Sequence, residues 1–94
     1  MNIRRLLLDV DKAISRPSVI EIAQAISACR GVEAANITVS GIDVETVGMD
    51  ITIEGENLSY DGVVKAIEST GAVVHSLDEI VCGERVVDRV KRAR

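Results

Sequence analysis

The chain has 94 residues, of which 47% are hydrophobic and 28% charged, with one Pro, seven Gly and a formal net charge of -4. A chain of this size buries only about 60–65% of its unfolded surface, which excludes several domains and leaves little depth for a catalytic cleft. No apolar run reaches the roughly 18–20 residues of a bilayer span, and Leu6-Leu7-Leu8 is cut by Asp9 too soon for a signal-peptide core, so a cytoplasmic location is expected.

Residues 3–10 are rich in Ile, Leu and Val and bounded by charge, which predicts a buried first strand rather than so short a helix. An irregular stretch follows over residues 11–17. In Ser18-Val19-Ile20-Glu21 the serine oxygen can accept from the N3 amide while Glu21 reaches back to the cap amide, a capping box that opens a helix. Its apolar stripe is Val19, Ile22, Ala23 and Ile26, and Gly31 is expected to supply the left-handed residue that ends it.

Residues 32–44 alternate Ala35, Ile37 and Val39 against Asn36, Thr38 and Ser40, the period of a half-buried strand. After a turn within residues 43–48, Val47, Met49, Ile51 and Ile53 alternate against Asp50, Thr52 and Glu54, which completes a hairpin. Ser59 caps a second helix with Asp61 in its first turn, Val63, Val64 and Ile67 form its inner stripe, and Gly71 closes it. Residues 72–81 form the fourth strand. Its phase stays open, because Val73, His75, Leu77, Glu79 and Val74, Ser76, Asp78, Ile80 are about equally apolar.

The order β-α-β-β-α-β is the ferredoxin-like plan, an α+β fold. Right-handed crossovers then give a four-stranded antiparallel sheet in order 4-1-3-2 with two helices on one face. The other face is open and carries Arg5, Leu7, Asp9, Asn36, Thr38, Ser40, Asp50, Thr52 and Glu54. Residues 1–83 make up the domain and residues 84–94 a basic C-terminal arm. The domain holds six basic and thirteen acidic side chains, whereas the arm is positive through Arg85, Arg89, Lys91, Arg92 and Arg94.

Composition tests the functions this fold can host. The chain has one tyrosine and no Phe or Trp, and neither central strand contains an aromatic residue, which argues against base stacking on the sheet. Soft-metal delivery needs cysteines in the loop after the first strand, and that loop reads Asp11-Lys12-Ala13-Ile14-Ser15-Arg16-Pro17. No glycine-rich loop opens a helix to cradle phosphate. Cys29 and Cys82 form no CxxC pair and are expected to be small apolar fillers.

Several stretches together resemble one family. They are Arg4-Arg5-Leu6-Leu7-Leu8-Asp9-Val10, Gly31-Val32-Glu33 with Asn36-Ile37-Thr38, Ile51-Thr52-Ile53-Glu54-Gly55 with Leu58, and His75-Ser76-Leu77-Asp78-Glu79-Ile80-Val81 with Gly83. The chain is similar through them to an archaeal family of small ferredoxin-like proteins of unknown function, and the resemblance reaches to about Val87. It implies the same fold and assembly as a homo-oligomer, and no established activity. The family's loop after the first strand carries a histidine in a Lys-Pro-His-Glu-Pro-like run, whereas here none stands between Lys12 and Pro17.

Three sites can be named from the residues. In this order the first strand is read as parallel to the third and antiparallel to the fourth, so Asp9, Glu54 and His75 stand at one end of the sheet and converge if His75 points to the open face. Two carboxylates and an imidazole there suit a divalent metal ion, with Asp11 and Glu56 as outer or alternative ligands. The plainer reading of His75 is a hydrogen bond to Asp9 or to backbone, or a subunit contact. A second candidate, Glu54-Gly55-Glu56-Asn57 with Asp61, lacks the spacing of a calcium loop and reads as a solvated turn. The third is the basic arm beside Arg4 and Arg5. It could meet nucleic acid only through salt-sensitive, nonspecific contacts, and Val86, Val87 and Val90 suit an arm that packs on its own or a neighbouring subunit.

These residues favour a non-enzymatic homo-oligomeric binding or regulatory module for a small ligand. A divalent-metal-binding protein and a nucleic-acid accessory protein are the alternatives, and no membrane partner is expected.

Overall fold

The computed structural model describes residues 1–91. Six elements follow one another: β1 (Ile3–Ala13), α1 (Val19–Ser27), β2 (Val32–Ile42), β3 (Thr46–Gly55), α2 (Tyr60–Ser69) and β4 (Val73–Cys82). The sheet runs β2-β3-β1-β4 with every neighbouring pair antiparallel, which is the ferredoxin-like topology. No helix among the described residues is long and apolar enough to cross a membrane.

Local chemistry fixes the helix starts. At α1, Ser18 Oγ accepts from the Glu21 amide at 3.1 Å while the Ser18 amide donates to Glu21 Oε1 at 3.5 Å, the reciprocal pair expected of a capping box. At α2, Ser59 Oγ accepts from the Gly62 amide at 3.0 Å. The C-termini differ from one another. Gly71, with φ of 104°, follows the Thr70 cap of α2, whereas α1 ends three residues before Arg30, at Ser27 with Ala28 as its cap. Gly31, with φ of 88°, instead turns the chain into β2 against Glu56 and Asn57. Its left-handed backbone serves the approach of two loops and not the end of the helix.

The core is aliphatic and lies between the helices and one face of the sheet. Leu6, Leu8 and Val10 of β1 and Met49, Ile51 and Ile53 of β3 are fully buried with Ile22 and Ile26 of α1 and Ile67 of α2. Because β3 alternates throughout, and β1 does so from Arg5 onward after a register shift at Arg4, the residues Arg5, Leu7, Asp9, Asp50, Thr52 and Glu54 occupy the opposite face. β1 extends three residues beyond the predicted Val10. Asp11, Lys12 and Ala13 pair with Gly48, Val47 and Thr46, so the long hairpin supplies a partner that the local sequence does not announce.

β4 follows neither of the two phases open to it. Its register against β1 shifts at Asp78, between the pairs Leu7↔Glu79 and Leu8↔Leu77, and again at His75, between Asp9↔Ser76 and Val10↔Val74. Directly opposed residues share a face. Glu79 and Val81 therefore stand on the open face with Leu7 and Arg5, while Leu77 and Val74 stand on the helix face with Leu8 and Val10. Each bulge inserts one unpaired residue and re-aims its side chain, and His75 is one of the two.

Candidate functional site

The sheet has two chemically distinct ends. At the first, Arg5 on the open face is ringed by acids from three parts of the chain. Its Nε donates to Glu54 Oε2 at 2.8 Å, and its Nη1 to Asp88 Oδ1 at 2.8 Å and Glu79 Oε1 at 3.5 Å. The hydrogen bonds it donates to Asp88 and then to Glu54 hold the guanidinium well above its already high ordinary pKa. Arg4 alongside donates from Nε to the Gly83 carbonyl at 2.8 Å and meets Glu56 Oε1 at 3.7 Å. These contacts tie the start of β1 to the arm after β4, whose Val87 lines a shallow cavity with Leu7 and Val81. Residues 84–91 carry no helix or strand, and Arg92 and Arg94 of the predicted basic arm lie outside the described residues.

At the second end, β1 finishes while β3 and β4 begin. The His75 bulge sets its imidazole over the sheet end, where Nε2 lies 2.7 Å from Asp11 Oδ2. Beside this pair is a cleft of about 420 Å³, with Lys12, Ala13, Glu45, Thr46, Gly71 and Val73 in its lining. Lys12 is only 7% exposed. Its Nζ donates to the Ala13 and Ile14 carbonyls, each at 3.0 Å, and it forms no ion pair with a carboxylate among the described residues.

The predicted metal-ligand set does not come together. β1 is antiparallel to β3, not parallel, so Glu54 lies opposite Arg5 while Asp9 lies opposite Asp50. At about 3.3 Å per residue that separates Glu54 from Asp9 by roughly 13 Å along the sheet. Three adjacent antiparallel strands bring the end of β1 to the start of both neighbours, and Glu54 belongs to the far end of β3. His75 is bound by Asp11, first considered an outer ligand, and Glu56 faces Arg4. Among the described residues, no group of three or more His, Cys, Asp or Glu side chains is placed to hold a metal ion.

The Ser76 hydroxyl donates to Asp78 Oδ1 at 2.7 Å. Burial pushes the Cys29 thiol above its ordinary pKa, and its Sγ donates to the Ala25 carbonyl at 3.5 Å, which suits a packed filler. The buried lysine was missed by the sequence reading, although the signal was present: Leu6, Leu8, Val10 and Lys12 continue one alternation, which puts the lysine on the apolar side.

Fold and sites together define a two-layer ferredoxin-like domain with a cleft of mixed polarity at one sheet end and an arginine-centred ion cluster at the other. The family model described as "Uncharacterized ArCR", domain-of-unknown-function family 211, matches residues 4–94, and the chain belongs to that family. It is 38% identical over 89 residues to an uncharacterized protein of Methanocaldococcus jannaschii, covering 95% of this chain and 91% of that protein. Neither description assigns an activity.

Proposed function

We propose that the protein is a non-catalytic, homo-oligomeric binding or regulatory module of the cytoplasm, whose copies associate through the outer edge of β2. The observation that carries this reading is its surface. The chain exposes 6296 Å², whereas about 5,300 Å² is expected of a folded monomer of 10.1 kDa. The excess is about 1,000 Å². It arises from a body only 17 Å thick with one sheet face bare, and from an arm without regular structure.

The β2 edge is the best suited to a second copy. From Ala34 to Ile42 it has no charged residue and no proline, and its register shifts fall at the two ends, near Glu33 and Ser40. Such an edge lacks the lysines, prolines and central bulges that keep exposed strands apart. The β4 edge, by contrast, is broken by its two bulges and carries Asp78 and Glu79. Val39 and Ile42 remain exposed along β2, and an antiparallel partner strand would cover them while satisfying the free amides and carbonyls.

The non-enzymatic part of the reading is supported by the Ser76 hydroxyl, which donates to Asp78 Oδ1 and not to the neighbouring His75, and by His75 itself, whose Nε2 is engaged by Asp11. Light scattering at micromolar protein is expected to return a multiple of the single-chain mass. A monomer throughout that range would contradict the proposal.

A further inference from the structure

We infer that the cleft at the β1 end is a binding site for a small zwitterion, a molecule of the α-amino acid class carrying one carboxylate and one ammonium group. The inference rests on reading the protein as a binding module, and it is independent of self-association.

Lysine is rarely buried without a paired anion, because removing its charge from water is costly. Lys12 is such a lysine: 7% exposed, without an ion-pair partner among the described residues, and in the cleft lining. Two of its three N–H groups are used by the Ala13 and Ile14 carbonyls, which leaves one donor and the whole charge for a ligand acceptor. A carboxylate is the acceptor that answers both.

A simple anion does not fit the rest of the lining. Glu45 and Asp11 also line the cleft, and their negative charge disfavours a ligand that is only negative, as Lys12 disfavours one that is only positive. A molecule with both charges satisfies the two signs at once, its ammonium going to the carboxylate side. Asp11 is oriented by His75 at 2.7 Å, and the imidazole's other ring nitrogen is left for a further polar contact. Val73, 52% exposed, and Ala13 offer an apolar wall for a ligand side chain. At about 420 Å³ the cleft falls within the usual range for small-molecule sites, about 300–1,000 Å³.

The test is calorimetric titration of the full chain with each standard α-amino acid, then with the N-acetyl and carboxamide derivatives of any that bind. Millimolar or tighter binding is expected for at least one amino acid. Losing either charge is expected to weaken it by about tenfold or more, the worth of one charged hydrogen bond. Lys12→Met and Glu45→Gln are expected to weaken it similarly, with circular dichroism confirming that each variant folds. The derivatives carry the test even if Lys12→Met does not fold. Failure of every amino acid to bind overturns the inference, as does binding indifferent to loss of either ligand charge. Light scattering on the same samples separates these outcomes from self-association: an oligomer that binds no amino acid removes the cleft assignment alone, and a monomer that binds one removes the assembly alone.

Discussion

Leu7 and Leu8 are consecutive in β1, yet the two faces of the sheet make them very different in energetic terms. Leu8 is fully buried, between Ile51 on β3 and Leu77 on β4, and packed beneath the helices. Leu8→Ala removes buried methyl groups and leaves a cavity that the flanking strands cannot close, at a cost of about 3 kcal/mol. Leu7, half-buried on the open face, loses roughly half of the transfer energy of the same atoms and leaves no enclosed void, or about 1 kcal/mol. A chain of 94 residues has a total stability of about 5–14 kcal/mol, so the first change removes a large share of it. With an unfolding entropy of about 0.2 kcal/mol/K for this length, Leu8→Ala should lower Tm by about 15 °C and Leu7→Ala by about 5 °C. Urea titration of dilute protein followed by circular dichroism gives both free energies. Equal costs for the two changes, or a cost below about 1 kcal/mol for Leu8→Ala, would refute the assignment of faces on which both sites depend.

Gly55→Ala should abolish stable folding or nearly so, since a Cβ there collides with the Gly31 carbonyl oxygen, a backbone atom. Retention of a cooperative transition near the wild-type Tm would show that the two loops are not so close. Ser18→Ala removes the cap of α1 and should cost about 1 kcal/mol in urea titration, and no measurable change would contradict the reciprocal capping pair. Cys82 is exposed, whereas Cys29 is half-buried with its pKa raised by burial. Alkylation near neutral pH should therefore label Cys82 first, and faster labelling of Cys29, read by mass spectrometry, would reverse that order.

Much of the fold is legible in the chain because local and tertiary preferences agree there. The alternation of Met49, Ile51 and Ile53, the capping residues Ser18 and Ser59, and Gly71 each specify the same structure at both levels. β4 is different, since its two bulges arise from pairing with β1 and leave no mark in a hydropathy pattern that assumes a constant period. The end of β1 is likewise set by its partner β3. The candidate site depended on strand direction more than on residue type: once β1 and β3 are antiparallel, Asp9 and Glu54 part, and Asp11 and His75 meet. Lys12 was readable from the strand's alternation, but only on a β1 that continues past Val10.

Assembly through the β2 edge is tested most directly by sedimentation equilibrium of the wild-type chain beside Val39→Lys. Val39 is 45% exposed, so a lysine there can reach water without disturbing the fold, while it places like charges on both copies of a paired edge. The account predicts an oligomer for the wild type and a shift to single chains for the variant at equal concentration, with unchanged circular dichroism. A wild-type monomer, or a variant that assembles as tightly as the wild type, would contradict it.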